Sequence, residues 1–421
     1  MPLWLFAFGA ATAVIVSFVA LGALWRRPRM EEPRDGRPLP GWAQAVLTSP
    51  VVEWIVRLIS LGLFLLVFVA AADGRSATGA NLAPVFVYVW FWVGLAFVHA
   101  FLGNWWATLS PWDTIARLLG IGEHPRRPYP PSWGAWPAGI LALGFLWMEL
   151  VYPAGAEPRS LAVAIAVYTV ITLAGMLVFG RDAWNRKGEA FAVYFGLLSL
   201  MAPVARAADG RVVLRAPLSG LPQLRPRPGL VAFVLILIGS TSFDGFTGTA
   251  LWDSWTANLT PTARALAGTT GLLAVIMLVA GAFALSMLAA SAVARIPWHP
   301  LAVRFVHTLV PIAFAYAVAH YFSFLLLEGQ GGIALLSDPL GDGWNLFGTA
   351  AYTINFALLS AAAIWYVQVA AIVVGHISGV MLAHDRAIAA FHGGQALRTQ
   401  YALLAIMVVF TVGGLVILSG G

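Results

Sequence analysis

Ten stretches of this chain are apolar for long enough, or nearly long enough, to cross a lipid bilayer, and that pattern excludes most folds. A span needs about 20 apolar residues to cover about 30 Å of hydrocarbon. The stretches are Leu3–Trp25, Val51–Ala72, Asn81–Phe101, Ala135–Tyr152, Leu161–Val178, Pro228–Phe243, Leu266–Val293, Pro300–Leu327, Leu346–Ala383 and Tyr401–Leu418. In lipid every backbone polar group must be bonded internally, so such segments are helices. The expectation is an all-α, polytopic transmembrane helix bundle of about ten spans, one integral membrane domain over residues 1–421. Charged residues are only 10% of the chain, against about 25% in soluble proteins. With 60% hydrophobic residues, no single core could bury the apolar surface, so the lipid bilayer must solvate much of it. The Met1–Trp25 stretch reads as a span rather than a signal peptide, because its apolar run is too long and no basic segment precedes it.

Arginine sets the orientation. Arg26, Arg27, Arg29, Arg34 and Arg37 follow the first span, and Arg117, Arg126 and Arg127 follow the third. Arg181, Arg186, Lys187, Arg206, Arg211, Arg215, Arg225 and Arg227 lie between the fifth and sixth, and Arg295, Arg386 and Arg398 fall in later loops of the same parity. The opposite face has only Arg75, Arg159 and Arg264. Basic loops stay in the cytoplasm, so the N-terminus is expected outside. Crossing by Ala190–Val204 would carry five arginines outward, so this short run is expected to be re-entrant or interfacial. Residues 205–228 read as a small cytoplasmic loop, and the stretch Arg211–Arg227 within it, with Val212-Val213-Leu214 and several prolines, as a hairpin. A pI of 9.9 would suggest nucleic acid in a soluble protein; arginines placed beside spans make no nucleic acid the expectation here. The absence of Cys excludes disulfides, thiolate ligands and a cysteine nucleophile.

Polar groups at membrane depth are costly and usually face the bundle interior. The sixth stretch, Pro228–Phe243, is about 24 Å of helix at 1.5 Å per residue. A helix break at Asp244-Gly245 would therefore leave Asp244 below the outer surface. The eighth carries His307 and His320, with Pro311 and Tyr316 between them and Glu328 at its end. The two histidines are separated by about 20 Å in depth and about 220° in azimuth, so they cannot share one face. Pro311 should free the His307 carbonyl. The ninth carries Asn355, Gln368, His376 and His384, followed by Asp385 and Arg386. His376 and His99 are expected near the depth of His307. Three histidines at one level suit a metal, a haem or a proton relay. The plainer alternative is that each is bonded singly to a backbone carbonyl, and that His384-Asp385-Arg386 merely ends a helix at the headgroups. Glu53 and Arg57 read as an ion pair. Glu149 reads as exposed or as part of the surroundings of Asp244. Asp338 and Asp342 among glycines match no EF-hand and read as a turn. No serine elbow, HExxH, P-loop or dinucleotide fingerprint occurs.

Several motifs carry a resemblance. They are Gly103-Asn104-Trp105-Trp106 with Ser110-Pro111-Trp112, Gly239-Ser240 through Phe243-Asp244-Gly245, and His307-Thr308-Leu309-Val310-Pro311. Ala319-His320-Tyr321-Phe322-Ser323, Gly375-His376 and Ala383-His384-Asp385-Arg386 complete the set. In these the chain resembles the fenitrothion hydrolase family of bacterial membrane proteins, over most of its length and more specifically in its second half. Relatives often carry Asn where this chain has Ser110, and many place a His-containing segment ahead of the first span. The resemblance implies an all-helical, multi-pass protein of the bacterial inner (plasma) membrane and hydrolysis of an organophosphate phosphoester. Such a substrate is man-made and is not the native one.

Three functions follow as expectations. In a metal-assisted hydrolase, a divalent metal would sit on His307, His376 and His384 with Asp385 as base or ligand support. An outer version of that site uses His320, Asp244 and Glu328. The second is a haem- or quinol-linked electron-transfer subunit. The third is a proton-coupled transporter with Asp244, His320 and Glu328 along its path. A homo-oligomer, or a subunit of a larger membrane complex, fits the aromatic-rich outer loops.

Overall fold

The computed structural model describes residues 3–32 and 36–419; Arg34, one of the orienting arginines, lies outside the described residues. The membrane helices are α1 (Leu3–Leu24), α2 (Pro50–Asp73), α3 (Leu82–Leu102), α4 (Trp136–Leu150) and α5 (Pro158–Phe179). They continue with α6 (Ala190–Ser199), α7 (Leu230–Thr247), α8 (Pro261–Ala294), α9 (Trp298–Ser337), α10 (Ala361–Ala390) and α11 (Tyr401–Leu418). Among the described residues nine helices are long and apolar enough to cross a membrane; α4 and α6 are shorter. The protein is a multi-pass, all-helical membrane protein. Local sequence starts several helices. Ser49, Thr260 and Ser360 each accept a backbone N–H of the first turn, and proline follows at N1 in α2 and α8.

The chain divides into two compact units, where the sequence shows no boundary. Met1–Pro33, Ser219–Phe322 and Leu359–Gly421 form the first; Arg34–Leu218 with Ser323–Leu358 form the second.

In the second unit, contacts between loops fix which helices cross. The Arg127 N–H reaches the Val178 carbonyl and the Arg181 N–H reaches that of Gly122. The loop before α4 and the end of α5 therefore share a face, and α4 crosses as α5 does despite its 15 residues. Three short strands, β1 (Arg37–Pro38), β2 (Val204–Arg206) and β3 (Val212–Leu214), pair antiparallel in the order β1-β3-β2. An even number of crossings must then separate Arg37 from Leu214. Helices α2 to α5 supply four, so α6 enters and leaves by the same face. A hairpin does form, but from β2 and β3, so its first strand precedes the Arg211–Arg227 stretch in which it was expected. On the opposite face Arg75 and Leu82 donate backbone N–H groups to Leu340 and Pro339, as loop parity requires.

The stretch after α3 is held by charge. Buried Asp113 accepts from Arg57 at 2.9 Å, Arg117 at 2.9 Å, Arg181 at 3.2 Å and Asn185 at 3.1 Å. Arg57 also pairs with Glu53 at 2.9 Å, the expected ion pair, and Arg181 with Glu123 at 3.1 Å. Three cations thus meet three carboxylates, which is how charge is tolerated away from water.

In the first unit, α10 packs against α9 through Gly375 and Gly379. A Cβ there would fall 2.2 Å from the Ala315 Cβ and 2.9 Å from the Thr308 carbonyl oxygen. Small residues four apart let helix backbones approach in this way. Two expectations change. Helix α7 does not break at Asp244-Gly245 but runs on to Thr247. Gly245 serves close packing instead, since a Cβ would lie 2.5 Å from Ile417 Cγ2 of α11. The ninth span begins at Ala361 rather than Leu346. The chain before it is irregular because Asn345, Asn355 and Gln330 side chains take the backbone N–H groups of Ala350, Ala357 and Asn355, which competes with helix.

Candidate functional site

One histidine and one carboxylate meet in the first unit. Asp244 lies in the last turn of α7, and His320 and Tyr321 are consecutive on α9. His320 Nε2 is 2.8 Å from Asp244 Oδ2, and the Tyr321 hydroxyl donates to the same oxygen at 2.7 Å. Successive helical residues differ by about 100° in azimuth, so the two rings reach Asp244 from different sides, with centroids 4.7 Å apart and near-perpendicular planes. The side chains of His320 and Asp244 remain 31% and 21% accessible. The carboxylate fixes the tautomer: Nε2 carries the proton and Nδ1 keeps a lone pair. Nδ1 faces Gly245, where a Cβ would come to 3.8 Å. An oriented imidazole with an open acceptor can take a proton.

The polar cluster near the C-terminal end of α10 is differently built. Asp385 accepts from Trp25 Nε1 at 2.8 Å and from the backbone N–H groups of Arg29 at 2.7 Å and Met30 at 2.9 Å. His384 reaches Gln400 Oε1 at 3.2 Å through Nδ1 and the Trp25 carbonyl at 3.0 Å through Nε2. Arg386 pairs with Glu31 at 2.8 Å and donates to the Pro222 carbonyl at 2.9 Å. Burial pushes the Glu31 carboxyl above its usual range, against the pull of Arg386. This cluster fastens the segment after α1 onto α10. His384 and Asp385 spend their polar atoms on that task, so the expected roles as ligand and base have no atoms left to perform them.

The remaining expected residues do not join a centre. His307 sits in a tight turn, Val306–Leu309, just before Pro311. Its carbonyl is not freed but accepts the Val310 N–H. The His307 ring donates from Nδ1 to Arg304 at 3.0 Å, and that of His376 to Ile372 at 2.8 Å. Both are bonded to their own helical backbone, as the plainer reading expected. His376 lies 5.9 Å from the Tyr316 ring and borders a small cavity of about 40 Å³. His99 belongs to the second unit. It donates to Leu95 at 2.6 Å, accepts the Trp106 N–H at 2.8 Å and stacks on Phe195 at 4.3 Å. Both of its nitrogens are used. Glu328 is exposed and Glu149 half-buried, both in the second unit. Among the described residues no three His, Asp or Glu side chains converge as a metal-ligand set. The metal on His307, His376 and His384, and its outer version on His320, Asp244 and Glu328, therefore lack a built site. Asp338 turns back onto the Gly343 N–H at 2.9 Å, an ordinary turn.

Sequence reasoning did not single out Tyr321 as a partner of Asp244. The available signal was its place beside His320 in a quoted motif. Also unforeseen was Glu189, fully buried, which caps α6 through the Phe191 and Ala192 N–H groups and accepts from Trp106 Nε1 and the Tyr168 hydroxyl. Comparison with protein-family models, curated proteins and solved structures finds no match.

Proposed function

We propose that the chain is a hydrolase of the bacterial inner membrane that cleaves a phosphoester by general-base catalysis, with His320 as base. The observation that carries this reading is the 2.8 Å contact between His320 Nε2 and Asp244, which leaves Nδ1 as acceptor. The resemblance of the motifs around both residues to the fenitrothion hydrolase family supplies the reaction class. Water attacks phosphorus while His320 Nδ1 takes its proton. The phosphorus–oxygen bond to the leaving group breaks, and that oxygen then recovers the proton. Asp244 orients the ring and stabilises its charged form, and Tyr321 holds the carboxylate in place. Such orientation is what a carboxylate contributes to a histidine base.

The test uses the full chain in proteoliposomes with a chromogenic phosphotriester in water enriched in oxygen-18. Wild type is expected to release the alcohol and to place the label in the phosphorus-containing product. His320→Ala and Asp244→Asn are expected to lower both signals by roughly 100-fold or more. Turnover in His320→Ala close to the wild-type rate would reject the assignment.

A further inference from the structure

The second unit contains a cavity of about 530 Å³, within the roughly 300–1,000 Å³ typical of small-molecule sites. It goes beyond the hydrolytic reading, which rests on the other unit. Its floor is aromatic and buried: Trp106, Trp112 and Phe191 are each 5% exposed. Its rim is the reverse. Ile59 on α2, Ile140 on α4 and Val167 on α5 line it and are 65%, 67% and 53% exposed.

Position along the helices says what lies outside that rim. Ile59 is nine residues into α2 and Val167 nine into α5, each about 14 Å from the helix start at 1.5 Å per residue. Both are therefore near the middle of the hydrocarbon, about 30 Å thick. The mouth opens onto lipid tails and not onto water or headgroups.

The lining offers a ligand no polar handle. The Ser60 hydroxyl donates to the Leu109 carbonyl, and Trp112 Nε1 to Thr169. Trp106 Nε1 and the Tyr168 hydroxyl both go to Glu189. Trp90 Nε1 donates to the Gly329 carbonyl. With those groups committed, only hydrocarbon gains by entering. Gly144 of α4 borders the space, and a Cβ there would meet nothing within 4 Å.

We propose that this cavity binds an acyl chain of a bilayer lipid, which enters sideways past Ile59, Ile140 and Val167. The chain lies against the Trp106–Trp112–Phe191 floor while its headgroup stays outside.

The test is native mass spectrometry of the full chain released from nanodiscs of dioleoylphosphatidylcholine. Gly144→Leu and, independently, Ala164→Leu fill the cavity. Val163→Leu, on the exposed face of α5 outside it, is the control, and a melting curve accompanies each variant. Wild type and Val163→Leu should retain one phospholipid under activation that strips surface lipid. Gly144→Leu or Ala164→Leu, with a wild-type melting curve, should retain at least tenfold less. The proposal is overturned if wild type flies without lipid, or if both filled variants keep it. It is equally overturned if the retained mass is a different hydrophobic molecule or a second copy of the chain.

Discussion

Two Asp–His clusters lie in the same unit and use the same residue types, yet they differ in how far their hydrogen-bonding capacity is spent. At His384-Asp385 the carboxylate has three donors, both ring nitrogens have partners, and the residues are 1% and 0% exposed. At Asp244–His320 one ring nitrogen is engaged, and the pair stays 21% and 31% accessible. A polar group in a membrane protein can serve chemistry only when some of its valence is left over and a second polar group orients it. His307 and His376 each keep an unpartnered Nε2, but their Nδ1 is held by their own helix's carbonyls, and among the described residues no ion pair joins them to a carboxylate. Where the valence is exhausted, the same residues are a fastening, and their removal unfolds rather than inactivates.

The largest expected effect breaks the comparison at its open end. General-base catalysis contributes roughly 10²–10⁴-fold in rate, so His320→Ala should lower hydrolysis by that factor, measured as initial rate in proteoliposomes. Next comes the closed end. Asp385→Ala orphans the Trp25, Arg29 and Met30 donors, and each unsatisfied buried donor costs about 1–3 kcal/mol. A denaturant titration in detergent should show a loss of roughly 3 kcal/mol or more. Tyr321→Phe removes one hydrogen bond to Asp244. It should cost about 1 kcal/mol, a rate effect of about fivefold with little change in melting.

The smallest effect concerns pH at the closed end. Burial raises the Glu31 carboxyl in the folded chain above its ordinary value of 4.5. A raised carboxyl stabilises the fold below its unfolded pKa, and that contribution disappears as pH rises through the folded value. Wild type should therefore lose slight stability as pH climbs past 4.5, and Glu31→Gln should lack that slope in melting experiments.

Hydropathy made the spans legible because hydrocarbon demands long apolar helices, and arginine parity made α6 legible as a helix that does not cross. The β1–β3 pairing supports that parity from backbone geometry alone. Two helix boundaries were not legible. Leu346 to Ser360 is apolar enough for a span, but side-chain amides capture its backbone. Gly245 suggests a break, yet its role is contact with Ile417, which lies far away in sequence. Asp244 and His320 could each be singled out by burial cost, but their meeting depends on the azimuth of two helices. That same dependence hid the Arg57 and Arg181 cations on Asp113 and the tie between Glu189 and Tyr168. Grouping His307, His376 and His99 by depth alone ignored azimuth and the pull of each helix's own carbonyls on Nδ1.

The most direct test measures two quantities on the same samples: hydrolytic rate per folded molecule, and the fraction folded, for His320→Gln and Asp385→Asn in proteoliposomes. The account predicts that His320→Gln keeps its folded fraction and loses at least about 100-fold in rate. It predicts that Asp385→Asn loses folded molecules while each survivor keeps the wild-type rate. A fully active His320→Gln, or a well-folded and inactive Asp385→Asn, would contradict it.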